Sequence, residues 1–454
     1  MPSEQLPPEP DPFDPLGLGK LLGPDVIGQL QRLMSWSGGP VNWDLATDVA
    51  RNGLGTDQAV TPEQQREVVD ACRLADHWLD PVTTLPGSAG EPQAWTRAAW
   101  LEATLPGWKQ LVEPVAGRVT QALAGALESS LSSEALPPEL AGMVAGLGAN
   151  PLAGVLQQVG GVVFGAQVGQ ALSALAGDVL ASSEVGIPLA RSLTSALLPA
   201  NVAAFAEGLE VPLDEVRLYL ALREAAHQRL FAHVPWLKAH LYDAVDAYAR
   251  GIEVDPSALE RAIGTLNLSD VDLNDPAAAQ EALSSGLFDI APTAAQEAAL
   301  ERLETALALV EGWVDHVVDT AASGRLPHAS GLRETVRRRR ATGGPAEQTF
   351  ATLVGLQLRP RRLREAATLW SRVTTLRGVE GRDALWAHPD LLPGAQDLSD
   401  PLRWGEQGGV PGEETDWDAG LRALDKDLDG RLDGDEQGPP DPGPDPGPEP
   451  GPYA

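Results

Sequence analysis

Residues 223 to 227 read Arg-Glu-Ala-Ala-His, the spacing of the helix motif H-E-x-x-H with arginine in place of the first histidine. In the complete motif two imidazoles at i and i+4 hold one zinc ion, and the glutamate beside the first polarises the metal-bound water. Here His227 stands at the second ligand position, Glu224 at the general-base position, and Arg223 where the first ligand would be. A guanidinium is a lasting cation with five donors and no acceptor, so Arg223 opposes a metal at the point where histidine would bind it. His233 copies the spacing of the longer motif H-E-x-x-H-x-x-G-x-x-H, but Leu230 replaces the glycine that turns the chain. On an unbroken helix six residues rotate His233 about 120° away from His227. His233 is therefore expected to sit at the helix C-terminus, where its charge favours the dipole.

Two helices must position these groups. Leu213 to Val234 reads as one helix, opened after Pro212 and closed by Pro235. Val216, Leu220, Arg223, His227, Leu230 and Val234 share one stripe, which turns Arg223 and His227 inward side by side. Residues 293 to 319 form a later helix with an inner stripe of Leu300, Leu303, Leu307, Glu311, Val314 and Val318. Glu311 is thus an acid on an apolar face, and a buried carboxylate needs a cation or a metal beside it. A pair between Arg223 and Glu311 is the economical arrangement, with the guanidinium filling the space a metal would take.

The remaining pattern predicts a mainly α protein, since alanine and leucine dominate from about residue 20 to 395 and alternating β-branched runs are scarce. Thr61-Pro62-Glu63-Gln64 reads as an N-cap, a first-turn proline and a capping-box glutamine. The single cysteine, Cys72, falls on the apolar face of the helix that follows, and being alone it excludes both an intrachain disulfide and a thiolate zinc cage. Between Gly154 and Leu180, Gly161, Gly165, Gly169, Ser173 and Gly177 recur every four residues, leaving one helix face almost bare. Gln157, Gln158, Gln167 and Gln170 interrupt the segment, so it is expected as a buried central helix that another backbone approaches closely, not as a membrane span.

The net charge of -31 argues against nucleic acid and anionic membranes as partners. Eleven arginines lie between residues 333 and 377, including Arg337 to Arg340, and intramolecular pairing with the surplus carboxylates is their expected use. Residues 1–16, rich in proline and acid, are expected to be disordered. They lack a basic and apolar leader pattern, which points to a cytoplasmic location. Residues 17–395 form the expected helical domain, possible as two lobes, and residues 396–454 an acidic tail.

That tail carries a second motif. Asp425 to Glu436 matches the twelve-residue EF-hand loop, with Asp425, Asp427, Asp429, Arg431, Asp433 and Glu436 at its coordinating positions and Gly430 at its turn. Gly438, Pro439 and Pro440 prevent an exit helix, so any calcium site there is expected to be weak. The Pro/Gly-rich end beyond it reads as an extended linker-like segment.

Six segments resemble, in order, a zincin-like zinc-dependent metallopeptidase family of actinobacteria and their relatives, some of whose members are associated with deazaflavin coenzyme biosynthesis. They are SGGPVNWDLA (37–46), FGAQVGQALSALAGDVL (164–180), LREAAHQRLFAHVPWL (222–237), VEGWVDHVVD (310–319), GLQLRPRRLREAATLW (355–370) and RDALWAHPDLLP (382–393). The resemblance implies a zincin-like helical core, hydrolase chemistry, zinc as cofactor, and a peptide or protein substrate or ligand. Carried over by position, His227 and Glu311 match metal ligands and Glu224 the general base, while Arg223 departs from the pattern. Three readings follow: a degenerate site with weak or absent zinc catalysis, an active peptidase that recruits a substitute ligand such as His233, Asp315 or His316, or a scaffold that holds a peptide without cutting it.

Overall fold

A computed structural model describes residues 38–132, 149–252, 293–341, 349 and 362–405. The chain divides into two units, Met1–Trp404 and Gly405–Ala454. The acidic N-terminal residues 1–16 and the EF-hand-like loop with Asp425, Asp427, Asp429, Arg431, Asp433 and Glu436 lie outside the described residues. Among the described residues the fold is mainly α, as the pattern predicts: α1 (Trp43–Gly53), α2 (Pro62–Leu79), α3 (Arg97–Ser132), α4 (Ala149–Asp178), α5 (Pro199–Ala206), α6 (Leu213–His233), α7 (Pro235–Arg250), α8 (Ala294–Ala322), α9 (Ala329–Ala341), α10 (Leu363–Asp383) and α11 (Ala395–Ser399). Two short strands, β1 (Gln93–Ala94) and β2 (Ala196–Leu197), pair in parallel, and Ala181 bridges Leu197 on the other side.

The helix starts follow from their caps. Thr61 accepts from Gln64 N while Gln64 returns a bond to Thr61 N, closing the predicted capping box of α2. Thr293 and Gln296 make the same reciprocal pair at the start of α8. Each cap satisfies donors that the first helical turn would otherwise leave orphaned. Cys72 sits fully buried in α2, and burial pushes its thiol pKa up.

The glycine face of α4 receives α1 along its length. A Cβ at Gly165 would lie 2.6 Å from Asn42 O, and one at Gly169 would lie 2.6 Å from Ala46 O. Asn42 N also bonds Gly161 O at 2.8 Å, so the two backbones touch as the four-residue repeat predicts. Gln170, Ala174 and Gly177 remain exposed, however, and the helix enclosed on every side is α6. The sequence places α4 at the centre because it is apolar; α6 takes that place because its buried charged residues Arg223, Glu224 and Arg229, together with His227, find partners.

Aromatic packing and one buried ion pair hold the C-terminal end against this centre. Trp386 stacks on Trp370 at 5.4 Å and lies 6.3 Å from Trp236, while Trp313 and Trp370 are fully buried. Each such side chain removes roughly 150–250 Å² from water. Asp383 accepts from Arg382, Trp313 Nε1, Thr83 Oγ1 and Thr84 N, which ties the end of α10 to the loop after α2. No described helix is long and apolar enough to cross a membrane.

Candidate functional site

From Tyr219 to Phe231 every residue of α6 is buried, including Arg223, Glu224, His227, Gln228 and Arg229. About two turns of helix, from Arg223 to Arg229, thus carry charge into an apolar interior, where unpaired charge is costly. The cost is met by partners on α2, α8, α9 and the segment between α4 and α5.

Glu311, 3 % exposed on the facing side of α8, gathers three partners. Arg223 Nη2 donates to its Oε2 at 2.7 Å, the pair that the two inward stripes predict. Its other oxygen lies 2.9 Å from His227 Nε2 and 2.5 Å from Arg340 Nη1, the latter supplied by α9. His227 Nδ1 lies 2.9 Å from Arg223 O. Both ring nitrogens of His227 therefore lie within hydrogen-bond distance of an oxygen.

The electrostatics follow from this geometry. Burial alone would raise the Glu311 pKa, but Arg340, His227 and Arg223 together hold it well below the usual carboxylate range. Burial would likewise lower Arg223, yet Glu311, joined by Tyr219 and Asp315, raises it. Tyr219, one turn before Arg223, is pushed up to about 12 by burial. Gly186 closes the remaining side with φ +77°, and a Cβ there would meet Glu311 Oε1 at 3.0 Å. Only a glycine lets the backbone come so close in that conformation.

Glu224 points to a different neighbourhood. Its carboxylate accepts short bonds from Ser182 Oγ and Ser183 Oγ, and further bonds from Ser183 N at 3.1 Å, Ala196 N at 3.2 Å and Gln228 Nε2 at 3.0 Å. Five donors, all neutral, thus hold one carboxylate that is 1 % exposed. They come mostly from the segment that carries the Ala181 bridge and β2, so Glu224 fastens that segment to α6.

The other candidates are dispersed. His233 is exposed at the end of α6. Asp315, 2 % exposed, pairs with Arg337 at 2.5 Å. His316 bonds Thr374 Oγ1 at 2.9 Å, and burial, aided by nearby Arg382, pushes its pKa down to about 4. Among the described residues no group of three or more His, Cys, Asp or Glu side chains converges in a way that could hold a metal.

Arg340 is the participant that sequence reasoning did not assign. Arg333, Arg337 and Arg340 share one face of α9 and meet Asp319, Asp315 and Glu311 of α8 in antiparallel order, at 2.6, 2.5 and 2.5 Å. The signal is present in the sequence as two matching spacings, four and three residues on one helix against four and four on the other. Arg339 pairs with Asp178 at 2.5 Å and Arg338 with Glu334 at 3.0 Å. The arginine run is used inside the molecule, as its surplus of nearby acids predicts.

A mainly helical core built around an R-E-x-x-H helix and a facing glutamate has the framework of a zincin-like protein. The chain belongs to the zincin-like metallopeptidase family, which it matches over residues 41–404. Its fold is similar to that of a candidate hydrolase with a novel fold from Chloroflexus aurantiacus, with a TM-score of 0.54 and 16 % identity over 80 % of this chain and 97 % of that one. Nothing among curated proteins matches it.

Proposed function

We propose that this family member keeps the zincin-like framework but has replaced its metal centre with an ionic clamp, and that it serves as a binding or scaffolding protein instead of a zinc-dependent peptidase. The observation that carries the reading is the surroundings of Glu311, whose two oxygens are engaged by Arg223, His227 and Arg340. A catalytic zinc needs three protein ligands and an open position for water. The residues here offer two, His227 and Glu311, with two guanidinium groups in contact with the carboxylate. Those cations would repel a divalent ion at short range. Glu224 fits the reading too, because its carboxylate is 1 % exposed and already accepts five hydrogen bonds, which leaves it little room to engage a water molecule.

Zinc content of the purified full-length chain tests this directly. The expected result is substoichiometric zinc and no chelator-sensitive peptidase activity. Stoichiometric zinc, lost on chelation together with activity, would instead establish an active enzyme with a substitute ligand. Because two guanidinium groups contact Glu311, Arg223→His alone should recover little zinc affinity, and Arg223→His with Arg340→Ala should recover more. Equal, negligible affinity in both variants would show that the clamp is not what excludes the metal.

A further inference from the structure

α9 differs from its neighbours in what holds it. Among the described residues 329–340 only Leu332 and Val336 are buried. By contrast, α6 is buried from Tyr219 to Phe231, and α8 carries Leu303, Leu309, Trp313 and Val317 into the core. Two apolar side chains remove little surface from water, and hydrophobic stabilisation scales with that area. The rest of the attachment is ionic. Arg333, Arg337 and Arg340 meet Asp319, Asp315 and Glu311, while Arg339 meets Asp178 at 2.5 Å and lies 5.6 Å from the Phe205 ring. Arg340 Nη2 also donates to Glu184 O at 2.6 Å.

Ion pairs part differently from a packed core. An apolar side chain that leaves the core loses its burial outright, whereas a guanidinium and a carboxylate that separate into water regain hydration, which offsets much of the lost attraction. Substitution of one partner strands a charge inside; outward movement of the whole helix does not. Arg337 and Arg340 would enter water, and Glu311 would keep Arg223 at 2.7 Å. The chain on either side of α9 is anchored independently. Leu326 is buried before it, and Thr349, buried beyond it, donates to Ala171 O of α4 at 3.4 Å.

We propose that α9 is an ionic latch on the Glu311 clamp. It opens as one unit between the anchors at Leu326 and Thr349 while α6 and α8 stay folded. Opening gives solvent a path to Glu311 and His227, which are 3 % and 2 % exposed when the latch is shut. The inference concerns how the clamp opens and stands whether or not the clamp excludes metal.

Native-state hydrogen exchange of the full-length chain, read at single amides by fragmentation mass spectrometry, tests the latch at two salt concentrations. Between about 0.1 M and about 1 M sodium chloride the screening length falls from about 10 Å to about 3 Å. Salt reaches two of the pairs, since the Asp319 and Asp178 side chains are 49 % and 41 % exposed. At the lower salt the α9 amides are expected to share one protection factor, on the order of 100-fold below that of α6 and α8. At the higher salt they should lose roughly a further tenfold while α6 and α8 hold theirs. Arg333→Gln, at the most exposed of the three pairs to α8, should speed exchange throughout α9 by about two- to fivefold and leave α6 unchanged, which also shows that the variant is folded. Exchange of α9 at the rate of α6, protection graded along α9 as in fraying from one end, or an α9 rate unmoved by either salt or Arg333→Gln would each overturn the proposal.

Discussion

Glu224 and Glu311 are both buried carboxylates beside the same two turns of α6, and they are held by opposite means. Glu224 is met by hydroxyls, backbone amides and a glutamine, all neutral. Glu311 is met by two guanidinium groups and an imidazole. Neutral donors must surround a carboxylate closely, and they come here from a short segment that wraps around it. Cations act with more energy per contact and leave large desolvation costs if separated. The first arrangement fixes a loop; the second joins three helices, α6, α8 and α9. The two motif positions that resemble a catalytic base and a metal ligand therefore differ in what their loss does to the molecule.

The largest expected effect comes from breaking the charged arrangement. Glu311→Leu leaves Arg223 and Arg340, with side chains 8 % and 12 % exposed, without their carboxylate. Removing one partner of a buried ion pair costs about 3–5 kcal/mol, and urea denaturation should show a loss of this size. Adding Arg223→Met to Glu311→Leu should restore part of it, because a buried apolar pair avoids the stranded cation. A double variant as unstable as the sum of its singles would mean that the two residues do not form one unit.

Acid should weaken the same clamp, by less, since a protonated carboxyl keeps some of its bonds. The folded state holds Glu311 ionised to a lower pH than the unfolded chain, whose glutamates titrate near about 4.3. Above that value the stabilisation is complete. As pH falls through and below the ordinary carboxylate range, the unfolded chain takes up the proton first, and stability declines until the folded-state pKa is passed. Urea midpoints measured from neutral pH into this acid range should therefore fall more steeply for the native chain than for Glu311→Gln. Parallel slopes would place the acid sensitivity elsewhere, for example at Asp383, whose pKa is also lowered by Arg382 against the opposing effect of burial.

The contrast also explains what the sequence reveals. The capping box at Thr61, the bounds of α6, the bare face of α4 and the pairing of Arg223 with Glu311 rest on local periodicity, which a single chain displays. The cradle of Glu224 does not. Four of its five donors lie 41 and 42 residues upstream or 28 upstream, in a segment without regular period, and two of the bonds come from backbone amides that any residue could supply. For the same reason Glu224, Gln228 and Arg229 look like a solvent-facing side of the helix. Arg229 is instead 1 % exposed and satisfied by Asp76, Asp80 and Leu85 O. A charged residue reads as surface until its partner is placed, and placement is tertiary.

The smallest effect tests the neutral arrangement. Glu224→Gln preserves the shape of the side chain and strands no buried cation, because none of its five donors is charged. One carboxamide oxygen can still accept from Ser182 or Ser183, while the new NH₂ faces donors and loses its bonds. The expected cost is about 1–3 kcal/mol, the range for leaving a buried polar group unmet, and at its upper end it reaches only the lower bound for Glu311→Leu. Hydrogen exchange should locate the damage. Amides of the segment from Ala181 to Leu197 should lose protection, while those of α9 keep theirs. Loss of protection in α9 as well would show that the two carboxylates form one network, and the division between a local fastening and a clamp across helices would fail.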